Sequence, residues 1–420
     1  MNIVRKGSRA SLLVAGLSAL ALVASGCASR EGETRAGDSA AASPGITDTT
    51  LTLGVTTPLS GTTAGPGKCT VDGLKAYMEA KNAAGGIKFG DGKTRTVKIE
   101  ALDDAYDPQK AAANYDQLKG KVFAMTSGLG TPTNRAWREA AIADKVPQVL
   151  VMTGDKIFSD QEQSPWQLGF VPIYANEGEA FGALLAESAT PHKVAILAQN
   201  DDFGEGYVEG FKDAIKDNPN IQVVKELTYE ASDTSVDAQI TELASTQADV
   251  IVNAMSLTPL VVSAMKKAQE LQWLPSWFQP SNTSSPTAIL QPAGAEAFPG
   301  VFSVSFSKNP ASPAVAEDAD VKQFLADLSQ YAGVEGPPQF PHCMWSYMVG
   351  ATLEQAFMKM TNPTRDDFMT QLRSISDYQA PLQVAGSVVD TTKDGSPAVS
   401  SVSVIKYNGT GFAPATSYDS

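Results

Sequence analysis

Residues 51–87 read LTLGVTTPLSGTTAGPGKCTVDGLKAYMEAKNAAGGI. Leu51, Leu53 and Val55 alternate with smaller or polar residues, the period-two pattern of a strand. A loop rich in glycine, serine and threonine follows from Pro58 to Gly67. Val71, Leu74, Met78 and Ala83 then recur at helical spacing, and Gly85-Gly86 supplies the left-handed residues that stop such a helix. A strand that runs through a hydroxyl-rich loop into a helix is the α/β device for placing a ligand at the carboxyl edge of a sheet.

The same rhythm continues outward from this stretch. A strand at 97–102 ends in Asp103-Asp104-Ala105-Tyr106-Asp107-Pro108, where Asp107 suits a helix N-cap and Pro108 the first helical position. A short strand at 122–125 opens into 126-TSGLGTPT-133, where Thr131 can cap and Pro132 can start a helix. A fourth strand at 149–152 leads to Thr153-Gly154-Asp155-Lys156. Such alternation predicts a mostly parallel sheet covered on both faces. After Phe170-Val171-Pro172 it begins again: helix 177–187, strand 194–197, helix to Lys216, strand 221–228, helix 235–244, strand 249–253, helix 258–270 and strand 276–279. Gly300 to Phe306 then reads as a strand carrying the chain back, with helices expected at 317–330 and 342–360. The end of the chain turns to β at 388–389 and 402–412.

Gly204-x-Gly206-x-x-x-Gly210 follows a strand and opens a helix, but its spacing differs from the dinucleotide fingerprint and no acid ends the next strand. Instead, TPLSG and NAAGGI in the opening stretch, DDxxDP at the second junction and VAILAQNDDFGEGYVEGFKDAI at 194–215 together resemble the branched-chain amino acid-binding family, the type I solute-binding proteins of ABC importers. The resemblance covers roughly residues 46–415. It implies an α/β fold of two Rossmann-like lobes, each a mostly parallel sheet flanked by helices, joined by a three-crossing hinge. Lobe one would take 46–171 and 304–382, and lobe two 172–303 and 383–420. A hinge over a cleft is the architecture of a solute trap.

Composition agrees with a soluble globular protein. The hydrophobic fraction is 43%, the charged fraction 19% and the net charge −14. Residues 1–26 hold Arg5, Lys6 and Arg9 and no acid, so the remainder carries −17. Nucleic acid is an unsuitable partner for so acidic a chain. The basic residues precede an apolar run from Leu12 to Ala24, too short to span a bilayer, and Val23-Ala24-Ser25-Gly26-Cys27 resembles a bacterial lipobox with Ala24 where leucine is more usual. The expectation is a leader over 1–26, a lipid on Cys27 and a flexible tether over 27–45. An ordinary cleavage site is the alternative. Cys69 and Cys343 remain as an even pair in an oxidising compartment, to be bridged or left as two buried thiols.

An enzyme would need a constellation that the chain lacks. His192 and His342 are the two histidines, and there is no GxSxG, CxxC, HExxH or P-loop lysine. Neither metal nor cofactor is implied. What the strand ends carry is hydroxyls and backbone amides. The expected ligand contacts are Ser60, Ser127, Gly130, Thr131, Thr153 and Asp155 from lobe one, closed over by Tyr174, Phe203, Ser256 and Asn282 from lobe two. Amino-acid binders of the family usually carry an acid after the strand matching 277–279, but here the chain reads Pro280-Ser281-Asn282. Asp155 could supply the missing charge or could serve as a helix cap. The expected function is a monomeric, lipid-anchored binder of an amino acid, amide or small carboxylic acid, handing it to an ABC permease on the outer face of the membrane. A tethered ligand sensor is the alternative. Two acyl chains anchor stably where one holds marginally, so Cys27→Ala should release the protein from the membrane fraction. Complete retention of that variant with membranes would refute the lipobox reading.

Overall fold

The computed structural model describes residues 41–418; the leader, Cys27 and most of the expected tether lie outside them. The elements in chain order are β1 (Thr50–Thr57), α1 (Ala64–Ala83), β2 (Ile87–Lys88), β3 (Thr94–Asp103), α2 (Pro108–Leu118), β4 (Ala124–Thr126), α3 (Thr131–Arg135), α4 (Arg138–Ala143), β5 (Gln148–Val151) and β6 (Gln167–Gly169). They are followed by α5 (Tyr174–Ala186), β7 (His192–Gln199), α6 (Asp202–Ile215), β8 (Ile221–Tyr229), α7 (Asp237–Ala244), β9 (Val250–Ala254), α8 (Thr258–Glu270), β10 (Ser276–Phe278) and β11 (Val301–Ser305). Last come α9 (Ala319–Asp327), α10 (His342–Lys359), α11 (Arg365–Leu372), β12 (Ser403–Tyr407) and β13 (Phe412–Pro414).

Two sheets result. The first has the order β2-β3-β1-β4-β5-β6, parallel except for β2; the second runs β13-β12-β11-β10-β9-β7-β8, parallel from β11 to β8. Each begins with a central strand, places its second long strand on one side and builds outward on the other. Leu51, Leu53 and Val55 on β1 are fully buried because helices cover both faces. In both sheets the order reverses beside that central strand, so the carboxyl ends open a crevice there. The two crevices face one another.

The chain passes between lobes near 171–173, 305–307 and 399–402, as core membership changes at those points. The third passage comes later than the expected boundary at 383. Val389, Ala398 and Val399 still belong to the first lobe's core, and the Ala398 and Val399 amides donate to the carbonyls of Gly169 and Phe170, 2.9 and 3.0 Å away. The segment thereby satisfies backbone groups that β6, an edge strand, would leave open. Three other local expectations also change. Residues 388–389 form a single bridge, Tyr378 to Val389, rather than a strand. Helix α1 starts at Ala64, with Pro66 tolerated in the first turn where an amide has no intrahelical partner. Thr131 is the first residue of α3 and does not cap it. Asp107 caps α2 as expected, its side chain accepting from the amides of Gln109 and Lys110.

Helix α10 returns to the first lobe and packs on α1. A Cβ on Gly73 would lie 2.0 Å from the Cys343 carbonyl oxygen, so the backbones meet directly. Beside that contact Cys69 and Cys343 are joined in a disulfide closing 274 residues of chain. Constraining so long a loop is typically worth about 2–4 kcal/mol. A Cys69→Ala/Cys343→Ala variant should therefore lose about that much stability in urea unfolding. An unchanged midpoint, or two free thiols in the wild-type protein after alkylation, would show that the bridge does not form in solution.

Candidate ligand cleft

The crevices meet in one cleft. Lobe one contributes the loop before α1 (Thr63), the β3–α2 junction (Tyr106), the β4–α3 loop (Gly130, Thr131) and the start of α10 (His342, Trp345). Lobe two contributes Tyr174 and Glu177 from α5, Phe203 and Tyr207 from α6, Ser256 after β9, and Ser281 and Asn282 after β10. The space open to the centre of a water-sized sphere is about 40 Å³. The lobes are closed on each other.

Hydroxyls hold them closed. The Tyr174 hydroxyl lies 3.1 Å from the Thr131 Oγ1 and 3.0 Å from the Thr153 Oγ1, and the two threonine oxygens are 2.9 Å apart. In such a triangle each oxygen can donate once and accept once. Tyr174 also packs on Phe203 and Tyr207, with ring centroids 4.8 and 5.1 Å away. Across the cleft Tyr106, at φ +62, reaches towards Ser256 and Gln199, and burial pushes its phenol up to about 12. A Cβ on Gly130, at φ +105, would sit 2.5 Å from the Tyr106 ring, so only glycine admits this approach.

Three buried polar atoms on the cleft wall have no protein partner: the Thr63 Oγ1, the His342 Nδ1 and the Asn282 Oδ1. Burial pushes the His342 imidazole down to about 3, so it faces the cleft neutral. Thr63 precedes α1 and His342 opens α10. Neither helix has a side-chain cap, which leaves backbone amides at the positive ends of two long dipoles. The wall carries no lysine or arginine.

One acid is present where none was expected. Glu177 is 1% exposed, and its carboxylate accepts from the Ser281 amide (3.0 Å), the Ser281 hydroxyl (2.7 Å) and the Tyr207 hydroxyl (2.7 Å). Burial raises its pKa above the usual glutamate value, against the pull of those hydrogen bonds. It therefore secures the same Ser281-Asn282 segment that lacks an acid of its own. A signal existed in the sequence. Tyr174, Gly178, Phe181 and Leu185 form the apolar stripe of α5, and Glu177 lies on it. Thr63 lies in the hydroxyl-rich loop already read as a ligand-placing element, but nothing comparable marked Tyr106 or Tyr207.

Of the expected contacts, Gly130, Thr131, Tyr174, Phe203, Ser256 and Asn282 line the cleft. Four do not. Ser60 turns outward and donates to Asp103 (2.5 Å). Ser127, at φ +55, buries its hydroxyl behind the loop. Thr153 lies behind Thr131 and touches the cleft only through the hydroxyl triangle. Asp155 caps the following turn, and Arg135 neutralises it through Nε at 2.5 Å and Nη2 at 3.1 Å. Its charge is spent on the rim, where Arg135 also pairs with Asp202 across the lobes at 2.9 Å.

Residues 50–411 match the periplasmic binding protein family. A Leu/Ile/Val-binding protein homologue from Brucella melitensis is 26% identical over 209 residues, a match that spans 48% of this chain and 53%, about half, of that relative. Among solved structures, a fatty acid ABC transporter substrate-binding protein from Thermomonospora curvata aligns with TM-score 0.76 at 22% identity, covering 89% of this chain and 94% of that one. A solute-binding protein of an R. palustris ABC transporter, in complex with benzoate, aligns with TM-score 0.69 at 18% identity over 87% of this chain and 95% of its own.

The raised pKa of Glu177 makes stability depend on pH. A carboxyl group whose folded pKa exceeds the unfolded value stabilises fully below the unfolded pKa, and that contribution is lost as pH rises through the folded one. Urea unfolding followed upward from about pH 4.5 should therefore show a decline that Glu177→Gln flattens. Parallel profiles for the two proteins would show that Glu177 has the same pKa folded and unfolded.

Proposed function

Because the chain belongs to the periplasmic binding protein family, we propose that it is the extracytoplasmic, lipid-anchored solute-binding component of an ABC importer, which closes on a small polar organic ligand and delivers it to a membrane permease. The observation that carries this reading is the inter-lobe cleft with three unpartnered polar atoms, two from lobe one and one from lobe two. A ligand that pairs with all three bridges the lobes, and its contacts are made only in the closed form.

The cleft chemistry favours a carboxylic acid or an amide. Uncapped amides at α1 and α10, with Thr63 and His342 beside them, suit an anionic or carbonyl oxygen. The Asn282 Oδ1 suits a donor such as an amide N–H or a hydroxyl. Fatty acid and benzoate, named for two proteins of similar fold, are carboxylates. Glu177 supports a second reading, an amino acid such as those named for the Brucella relative. A carboxylate offers about four acceptor positions, and Glu177 has three of them filled. One is left for an ammonium.

Calorimetric titration separates the readings. Leucine would be compared with its deaminated acid, 4-methylpentanoate, and with the corresponding amide. The acid or amide should bind more tightly, and Thr63→Val or Asn282→Ala should each weaken binding by roughly three- to a hundred-fold. Tight binding of leucine alone, abolished in Glu177→Gln, would replace the ligand class while leaving the solute-binding role. Binding indifferent to both cleft variants would move the site elsewhere.

A further inference from the structure

Beside the cleft lies a second, larger chamber between the lobes. By the same measure it offers about 560 Å³, more than ten times the cleft's 40 Å³. Ser281 and Trp345 line both spaces, so the two are neighbours across those side chains. One wall is the segment before and into α10, with Phe340 and Met344. The other is built from Pro286 and the β12–β13 hairpin, with Ile405 and Phe412. The Ser285 hydroxyl donates to the Gln339 carbonyl at 2.5 Å and ties the walls together.

In a chain that is 19% charged, no residue lining this chamber carries an ionisable side chain. The adjoining cleft holds both Glu177 and His342. Charged groups of a ligand are therefore met in the cleft, and the chamber, whose wall mixes apolar side chains such as Phe340, Met344 and Ile405 with uncharged serine, threonine and amide side chains, is left for its uncharged part. The volumes decide how a ligand must divide. The cleft's 40 Å³ suits a compact head group, and the chamber's 560 Å³ leaves room for a longer tail.

We propose that the ligand is amphipathic, with a carboxyl or amide head in the cleft and an uncharged hydrocarbon tail lying past Trp345 in the chamber. This rests on the solute-binding reading above and adds to it the tail and its place. Trp345 is fixed for such a boundary. Its ring stacks on Phe306 at 5.0 Å and its indole N–H donates to the Ser307 hydroxyl at 3.2 Å, so it presents a rigid apolar face.

Titrating propanoate, hexanoate, octanoate and decanoate, with their primary amides, tests the assignment on the full chain. Each buried methylene should raise affinity by roughly fourfold until the chamber is filled. Thr287→Trp, an exposed position on the chamber wall, should abolish the gain with length while changing propanoate binding less than twofold. Ile405→Lys should do the same by placing a charge there. Short acids that bind with no dependence on length would overturn the chamber assignment and leave the cleft reading intact. A length dependence that survives both variants would overturn it as well. No binding by any member of either series would overturn the ligand class and, with it, the tail.

Discussion

The packing of α10 on α1 is the contact on which the architecture turns. The chain leaves the first lobe at residue 171, builds a second sheet and must come back, or there would be one connection and no hinge. It returns because α10 is buried on nearly every side from His342 to Leu353 and finds its complement on α1. Gly73 and Gly350 allow close approach: a Cβ on either would meet the partner helix at 2.0 or 2.8 Å. Backbones that close bring many atoms within dispersion range. The Cys69–Cys343 bridge fixes the same register. From this docking follow the second and third crossings and the position of His342 and Trp345 on the cleft wall.

Much of this was legible from pattern. Helix α8 matches its expected span, the alternation of strands and helices implied two parallel sheets, and Asp107-Pro108 marked the start of α2. These features are local, and local periodicity reports them. The passages that differed depend on distant partners. The strand expected at 388–389 is a single bridge, and the segment's other pairing, through the Ala398 and Val399 amides to the edge of β6, depends on distant partners. Asp155 could be read from sequence as a ligand contact or a cap, since Arg135 meets it only after α3 folds. Ser127 lies at a strand's carboxyl end like Thr131, yet its left-handed backbone turns the hydroxyl inward. The sequence placed the loops, and the side-chain directions within each loop came from tertiary packing.

The cleft wall is built without a cation. Lysine and arginine are kept to the rim, where Arg135–Asp202 and Lys156–Glu209 pair across the lobes. Exposed pairs of this kind contribute little to stability but can align two surfaces. Inside, partial positive charge comes from amides at helix starts, which need no counter-ion and lose less hydration on closure than an ammonium or guanidinium would. Glu177 is the exception. Three donors, all from lobe two, only partly offset its desolvation, and the acid braces the Ser281 loop within its own lobe.

The balance of closure follows from these groups. Bringing the lobes together adds the Tyr174 hydroxyl to the Thr131–Thr153 pair, and its two hydrogen bonds each contribute roughly 0.5–1.5 kcal/mol net. The same movement buries the Thr63, His342 and Asn282 polar atoms, each costing about 1–3 kcal/mol when left unpaired. Three such costs match or exceed the gain from the triangle, and the solvent-exposed rim pairs add at most about 1 kcal/mol each. These unpaired groups therefore oppose closure when no ligand meets them. A ligand that satisfies the three atoms removes their penalty in the closed state and has no such effect in the open one, which is the differential affinity that a conformational shift requires. The unpartnered groups thus favour closure around a ligand over closure without one, and the hydroxyl triangle keeps the closed geometry within reach.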